Sequence, residues 1–227
     1  MPNESDLTFD ELDRDGAISE ALGAVSSRGS FLGKAFIGSA ALLGALAAPR
    51  QASAASRSDT AILNFALTLE YLQASFYTET QRLGAVGGVL ARVPRQLGAV
   101  ERAHVRALKD ALGRAAVKRP SFNFQGTTED RTKFLKTAVA FEDLAVAAYK
   151  GQATRLESPA LLAAAVAIHS VEARHAAWMR YLAGVTPAAN AFDEGKPEAE
   201  VRKIVAATRF IASRPKMTAR REPRTTG

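Results

Sequence analysis

The sequence predicts an all-α fold built from four long helices and a shorter fifth one. Apolar residues make up 47% of the 227 positions, and alanine, the best helix former, is abundant. Long segments with a helical period are separated by glycine, proline and polar breaks, and no stretch alternates like a β-strand over a useful length. Four helices of this length favour a helical bundle.

The first two helices are predicted from about Thr60 to Leu83 and from about Pro94 to Val117. Ser58 or Asp59 can cap the first helix, and a glycine-rich break follows it. Lys118–Asp130 is polar and has no helical period, and it is the longest connection in the domain. We therefore expect a long crossover between helices two and three that runs from one end of the bundle to the other.

The remaining helices are delimited by similar signals. The third is predicted from about Thr128 to Leu156, with acids in its first turn that suit the helix dipole. Ser158-Pro159 opens the fourth helix and Gly184 closes it. The shorter fifth helix runs from Pro197 to about Ile211. The predicted bundle domain thus covers residues 58–212.

Residues 1–54 have the features of an export leader. Basic residues Arg28 and Lys34 flank the start of an apolar run, Ala35–Ala48, and the small residues of Ala52–Ala54 form a cleavage pattern. The run is 14 residues long, which is short for a membrane span, so a secretory signal fits better than an anchor. The alternatives are a retained N-terminal helix or an uncleaved signal, which would be the protein's one attachment to a membrane.

The route of export stays open between two systems. Ser27–Leu32 resembles a twin-arginine signal, but Gly29 stands where the second arginine belongs, so the general secretory route is equally open. We expect the protein in the periplasm, the cell envelope or the medium. The leader holds seven acids and four bases, so its removal would raise the net charge from +7 to +10.

Residues 213–227 form a basic tail with five bases and one acid. Such a run predicts a solvated, disordered segment. It could bind an anionic polymer, but it has no interleaved aromatic residue, which disfavours nucleic acid as its partner.

Each of the four long helices carries one glutamate in the middle of an apolar, core-facing stripe. Around Glu70, for example, Leu63, Leu67 and Ala74 lie on the same helical face. Burying a carboxylate is costly unless it is paired or binds a metal, and no lysine or arginine lies at these offsets. A pair of divalent cations would neutralise the four carboxylates.

Two of these glutamates are followed three residues later by a histidine, so that a carboxylate and an imidazole share one helical face. A lone glutamate from each of the other two helices completes the ligand pattern of di-iron carboxylate bundles. The spacing supports an internal duplication, because 31 residues separate Glu70 from Glu101 and 30 separate Glu142 from Glu172. Either the lone glutamates or Glu101 and Glu172 could bridge the ions. The predicted ligands are Glu70, Glu101, His104, Glu142, Glu172 and His175.

Three further residues are predicted close to the ligands. Tyr77 and Tyr149 each follow a lone glutamate by seven residues, so they could hydrogen-bond ligands or fill the core. His169 lies on the Glu172 face and is expected to support the ligands or to pack. Oxygen and imidazole donors suit iron or manganese, with zinc less favoured, and a chain without cysteine offers no thiolate.

The stretches that hold these residues resemble the ferritin-like domain of exported bacterial proteins, some of which are desiccation-related. They are ILNFALTLEYLQASFY (62–77), ERAHVRAL (101–108), FLKTAVAFEDLAVAAYKG (134–151) and VEARHAAWMRYLAG (171–184). The resemblance implies a ferritin-like four-helix bundle with two metal ions, iron first, and does not imply iron storage.

Three functions are compatible with this sequence. The first is a ferroxidase- or peroxidase-like oxidoreductase that oxidises Fe(II) or a small substrate with O₂ or peroxide. The second is a non-catalytic metal-binding or stress-related structural protein. The third is a basic scaffold for an anionic polymer. A homo-oligomer is compatible with all three.

Overall fold

The computed structural model describes residues 55–212, so the predictions for the leader and the basic tail lie outside the described residues. Within that range the chain forms five α-helices and no strand, which confirms the all-α prediction. The helices are α1 (Arg57–Leu83), α2 (Val93–Leu112), α3 (Arg131–Ala153), α4 (Pro159–Leu182) and α5 (Glu198–Thr208). None of these helices is long and apolar enough to cross a membrane.

Contacts between the helices show in which direction each helix of the bundle runs relative to the others. α1 packs against α2, and α3 packs against α4. Tyr77 of α1 contacts Glu142 of α3, whereas Tyr149 of α3 contacts Glu70 of α1, so these two helices are antiparallel. The α1–α2 pair, joined by a short turn, is also antiparallel. Therefore α2 and α3 run in the same direction, and residues 113–130 cross the length of the bundle as predicted.

The crossover contributes to the core more than its polar composition suggests. Phe124 is 1% exposed, and its ring packs against Phe76 and Phe210. Backbone hydrogen bonds join Asn123 N to the Phe210 carbonyl at 2.8 Å and Ala212 N to the Ser121 carbonyl at 2.9 Å. The chain after α5 thus pairs with the crossover, and the prediction that helix five continues to Ile211 was wrong.

Other helix ends differ from the predictions by a few residues. α2 ends at Leu112 and not near Val117, because Gly113 takes a positive φ of 53°. The Asp130 carboxylate accepts a hydrogen bond from Lys133 N, so α3 begins at Arg131 and not near Thr128. The same helix ends at Ala153, three residues before the predicted end.

Asp59 has a different role from the predicted cap. Ser56 caps α1, because its hydroxyl accepts from Asp59 N at 3.0 Å. The Asp59 side chain is 1% exposed and accepts from Glu157 N at 2.8 Å and Ser158 N at 3.1 Å. This carboxylate therefore ties the start of α1 to the turn that precedes α4.

Two apolar clusters enclose the middle of the bundle. One contains stacked Phe76 and Phe134 and also takes in Val201 and Val205 of α5. The other contains Leu63 and Leu67 with the C-terminal part of α2 and the N-terminal part of α4. Along α1, Glu70 lies where the two clusters meet. The apolar surroundings exclude water from the polar layer between them.

Two glycines allow close approaches of the backbone. A Cβ on Gly98 of α2 would lie 2.9 Å from Tyr77 Cβ, so this glycine lets α2 pack tightly beside the tyrosine. A Cβ on Gly151 of α3 would lie 2.1 Å from the Lys196 carbonyl oxygen. Here the loop after α4 crosses α3, with Lys196 N donating to the Ala147 carbonyl at 2.9 Å.

Candidate metal centre

All six predicted ligands lie together in the middle of the bundle. α1 and α3 each supply one glutamate, and α2 and α4 each supply a glutamate and a histidine. The four glutamates are 0% exposed, and the two histidines are 8% exposed each. The histidines of α2 and α4 are therefore the members of the cluster nearest to solvent.

The side chains form two overlapping groups, in each of which the potential ligand atoms lie within 4.8 Å of one another. The first group contains Glu70 and His104, and the second contains Glu142 and His175. Glu101 and Glu172 belong to both groups. The glutamates of the Glu-x-x-His units thus occupy the shared position, which the sequence had left open between them and the lone glutamates.

The separations between donor atoms suit ligands of one ion. His104 Nδ1 lies 3.0 Å from Glu172 Oε1 and 3.4 Å from Glu70 Oε2. His175 Nδ1 lies 2.9 Å from Glu101 Oε1 and 3.5 Å from Glu142 Oε2. When metal–ligand bonds are about 2.1 Å, two ligand atoms at right angles lie about 3 Å apart.

Several of these buried atoms have no hydrogen-bond partner among residues 55–212. They are Glu70 Oε2, Glu101 Oε1, both oxygens of Glu172 and His175 Nδ1. His175 Nδ1 and Glu101 Oε1 are close, but they are not aligned for a hydrogen bond. Orphaned polar atoms are rare in protein interiors, and here five of them meet in one layer. The residues present therefore fit bound cations.

Burial and mutual charge shift the pKa values of this cluster. Burial, reinforced by the charges of Glu101 and Glu70, raises the pKa of Glu172 well above its usual value. Burial also raises the pKa of Glu101. Burial opposes ionisation of Glu70 as well, but the charge of the nearby His104 and the hydrogen bond from Tyr149 outweigh it, and the pKa of Glu70 is lowered. Glu172 and Glu101 therefore bind a proton more readily than an exposed glutamate does.

The pKa values of both histidines are raised as well. Burial alone would lower the pKa of His104, but Glu70, Glu101 and Glu172 together raise it well above its usual value. Burial likewise opposes protonation of His175, and its contacts with Glu101 and Glu142 raise its pKa to about 10. Any metal must displace these protons, because only the neutral imidazole and the carboxylate are ligands.

Two tyrosines hold the lone glutamates across the bundle. The Tyr149 hydroxyl donates to Glu70 Oε1 at 2.6 Å, and the Tyr77 hydroxyl donates to Glu142 Oε1. Burial first, and then the charge of the glutamate that each contacts, raises the pKa of both tyrosines well above the usual value. Both phenols thus stay protonated and orient one oxygen of each carboxylate.

Gln73 is a functional residue that the sequence analysis missed. Its side chain is 2% exposed, and Nε2 donates to Glu142 Oε2 at 3.2 Å. Gln73 follows Glu70 by three residues, the same offset as in Glu-x-x-His, and this spacing could have identified it. The equivalent position after Glu142 is Ala145, which cannot donate a hydrogen bond.

His169 and Asp143 lie outside both groups of ligand atoms. His169 Nε2 is buried without a hydrogen-bond partner among residues 55–212, so no hydrogen bond from this atom supports the ligands. The Asp143 carboxylate forms a two-point ion pair with Arg180 of α4 at 2.8 and 2.9 Å. Asp143 therefore helps to pair α3 with α4, outside the cluster.

Comparison with known protein families agrees with this geometry. The family described as ferritin-like domain matches residues 58–185, which is more than half of the chain. The chain belongs to the ferritin-like domain family. No curated protein matches the chain. The matched range of this ferritin-like domain includes all four long helices except the first residue of α1, and therefore every member of the buried Glu/His cluster.

Proposed function

We propose that this ferritin-like domain binds two metal ions, iron in preference to manganese or zinc, and oxidises Fe(II) or a small substrate with O₂ or peroxide. The observation that carries the proposal is the pair of overlapping Glu/His groups, whose buried oxygens and imidazole nitrogen lack other partners. Each group offers carboxylate oxygens and one imidazole nitrogen. These donors suit iron and manganese better than they suit softer metals.

The two groups define which residues would hold each ion. Glu70 and His104 would complete one position, and Glu142 and His175 the other. Glu101 and Glu172 would bridge them, because each contributes to both groups. Two adjacent iron ions, each able to change oxidation state, would supply electrons to O₂ or peroxide.

The chain itself would orient the ligands and limit access to the centre. Tyr77 and Tyr149 hold the lone carboxylates, and the apolar clusters on either side exclude water. Because His104 and His175, at 8% exposed each, are the least buried members of the cluster, small solutes would approach from the side of α2 and α4.

A non-catalytic metal-binding role, in a stress- or desiccation-related protein, is the second candidate. It is favoured by the complete burial of the four glutamates, which leaves little room for a substrate beside the ions. We also propose that the protein is exported, on the strength of the leader in residues 1–54. The third hypothesis, an anionic polymer held by the tail, predicts that deletion of residues 214–227 abolishes polymer binding and spares metal loading.

The deciding experiment measures metal per chain and then follows absorbance after aerobic addition of Fe(II). The Glu142→Ala variant should lose metal and oxidation but stay folded, because removing a buried charge relieves repulsion. Glu129→Ala removes an exposed glutamate and serves as the matched control. Stoichiometric metal with no turnover in the unmodified protein would select the second candidate. Normal metal loading in Glu142→Ala would contradict the assigned ligand set.

A further inference from the structure

A second polar site lies on the outside of the bundle, between α1, α2 and the crossover. It is a cavity of about 550 Å³, within the range of small-molecule sites, and no member of the Glu/His cluster lines it. Its walls carry three arginines, Arg82, Arg102 and Arg119, together with hydroxyl groups that include Ser75 and Thr78.

The arginines lie along one stripe of α1, and hydrogen bonds hold two of them in place. Arg119 comes from the crossover and donates to Ser75 Oγ from Nε at 3.1 Å and from Nη2 at 2.7 Å. Arg102 comes from α2 and donates from Nη1 to Thr78 Oγ1 at 2.9 Å. Arg82 follows Thr78 by four residues, one turn along the same face. Three cations from three parts of the chain therefore converge on one cavity.

The arginines outnumber the acids in the lining of the cavity. Among residues 55–212, none of the three arginines forms an ion pair. Glu79 is the single acid in the lining, and its Oε1 accepts from the Thr128 hydroxyl at 2.8 Å. The cavity is therefore positive, and several guanidinium N–H groups remain available to a ligand.

Part of the lining is apolar and aromatic. Phe122 and Phe124 form it with their rings stacked at 5.9 Å, and Val105 of α2 adjoins them. The Arg119 guanidinium lies 5.5 Å from the centre of the Phe122 ring. A ligand in this cavity would thus meet cations and an adjoining apolar surface.

We propose that this cavity binds a phosphate group, either as free phosphate or as a phosphomonoester whose organic part packs on Phe122. Arginine suits phosphate because its planar fork of N–H groups matches two phosphate oxygens at once. The volume exceeds the needs of a bare anion and leaves space for an organic part. This site is independent of the proposed metal chemistry.

Calorimetric titration of the metal-free full chain with inorganic phosphate and with phenyl phosphate, at constant ionic strength, tests the proposal. We expect saturable binding of one anion per chain. Tighter binding of phenyl phosphate would assign the site to esters, and equal affinity would assign it to free phosphate. The Arg102→Gln/Arg119→Gln double variant should bind at least about tenfold more weakly, because it removes charged hydrogen-bond donors.

The matched control is Arg95→Gln/Arg106→Gln, which removes two exposed arginines of α2 that do not line the cavity. It has the same net charge as the double variant, so equal losses in the two would show general electrostatic attraction and overturn the proposal. Absence of saturable binding would also overturn it. Glu142→Ala should bind phosphate normally, which separates this site from the metal centre, and thermal unfolding checks that each variant is folded.

Discussion

The two halves of the Glu/His cluster have the same sequence pattern but different surroundings. In each half a lone glutamate is followed seven residues later by a tyrosine and is paired with a Glu-x-x-His helix. Yet, within the described part of the chain, Glu142 accepts hydrogen bonds on both oxygens, from Tyr77 and Gln73, whereas Glu70 accepts only from Tyr149 and keeps Oε2 without a partner. The difference between Gln73 and the equivalent Ala145 thus makes the two lone glutamates unequal.

This inequality has a consequence for metal loading. Glu70 Oε2 has a lone pair that no donor occupies, and it lies 3.4 Å from His104 Nδ1. Glu142 Oε2 already accepts a hydrogen bond from Gln73, which would compete with a metal ion for the lone pairs of that oxygen. We therefore expect the position formed by Glu70 and His104 to fill before the one formed by Glu142 and His175.

The largest loss of bound metal should follow from removing a shared ligand, because that change affects both halves of the cluster. Glu172→Ala should reduce the metal content from two ions per chain to one or none, since Glu172 belongs to both groups. Elemental analysis after loading and desalting measures this, with Glu129→Ala as control. Retention of two ions would show that Glu172 is dispensable and would contradict the description of the cluster as two halves with shared ligands.

The next effect concerns the protonation of both halves in the metal-free chain. The folded state raises the pKa of His175 to about 10, from 6.5 in the unfolded chain, and raises that of His104 as well. Their stabilisation is complete below pH 6.5 and is lost as the pH rises toward 10, since the unfolded chain binds fewer protons in that window.

Thermal unfolding of the metal-free chain between pH 6.5 and 10 should therefore show the midpoint falling as the pH rises, whereas metal affinity should increase. Replacing either histidine with alanine should flatten the fall. A metal-free midpoint that rises across this window would contradict the assigned pKa directions.

The tyrosines allow a direct test of the inequality. Tyr149→Phe removes the single hydrogen-bond donor to Glu70, but Tyr77→Phe leaves Gln73 on Glu142. We expect Tyr149→Phe to weaken the first-filled position by about 10- to 100-fold, as is typical of groups that orient ligands. Tyr77→Phe should weaken the second position by less, and stepwise metal titration measures both. Equal losses would remove the basis for unequal halves.

The smallest effect is expected from Gln73→Ala, which makes the two halves alike. The two apparent metal affinities should converge by a few-fold, because Glu142 regains a lone pair. Loss of the buried hydrogen bond should cost about 1–2 kcal/mol in the free energy of unfolding. Calorimetric titration and chemical denaturation check the two parts, and an unchanged difference in affinity would show that Gln73 does not cause the inequality.

The sequence by itself determined the fold class, the four long helices and the six members of the cluster. Helical periodicity identifies the residues that share a face, and the cost of burying a carboxylate marks the glutamates on apolar faces as special. Both rules act within a single helix, so residues such as Glu101 and His104 could be recognised without the tertiary structure.

Only the tertiary structure decided which side chains meet across helices. Glu101 and Glu172 are shared by both groups because of how α2 and α4 face each other, and Gln73 reaches a glutamate 69 positions away. Asp59 does not cap its own helix but binds a turn 98 positions away. The crossover pairs with the segment that follows α5. A helical period specifies the face that a helix buries, but the partner of that face depends on packing between segments distant in the chain, which no local pattern encodes.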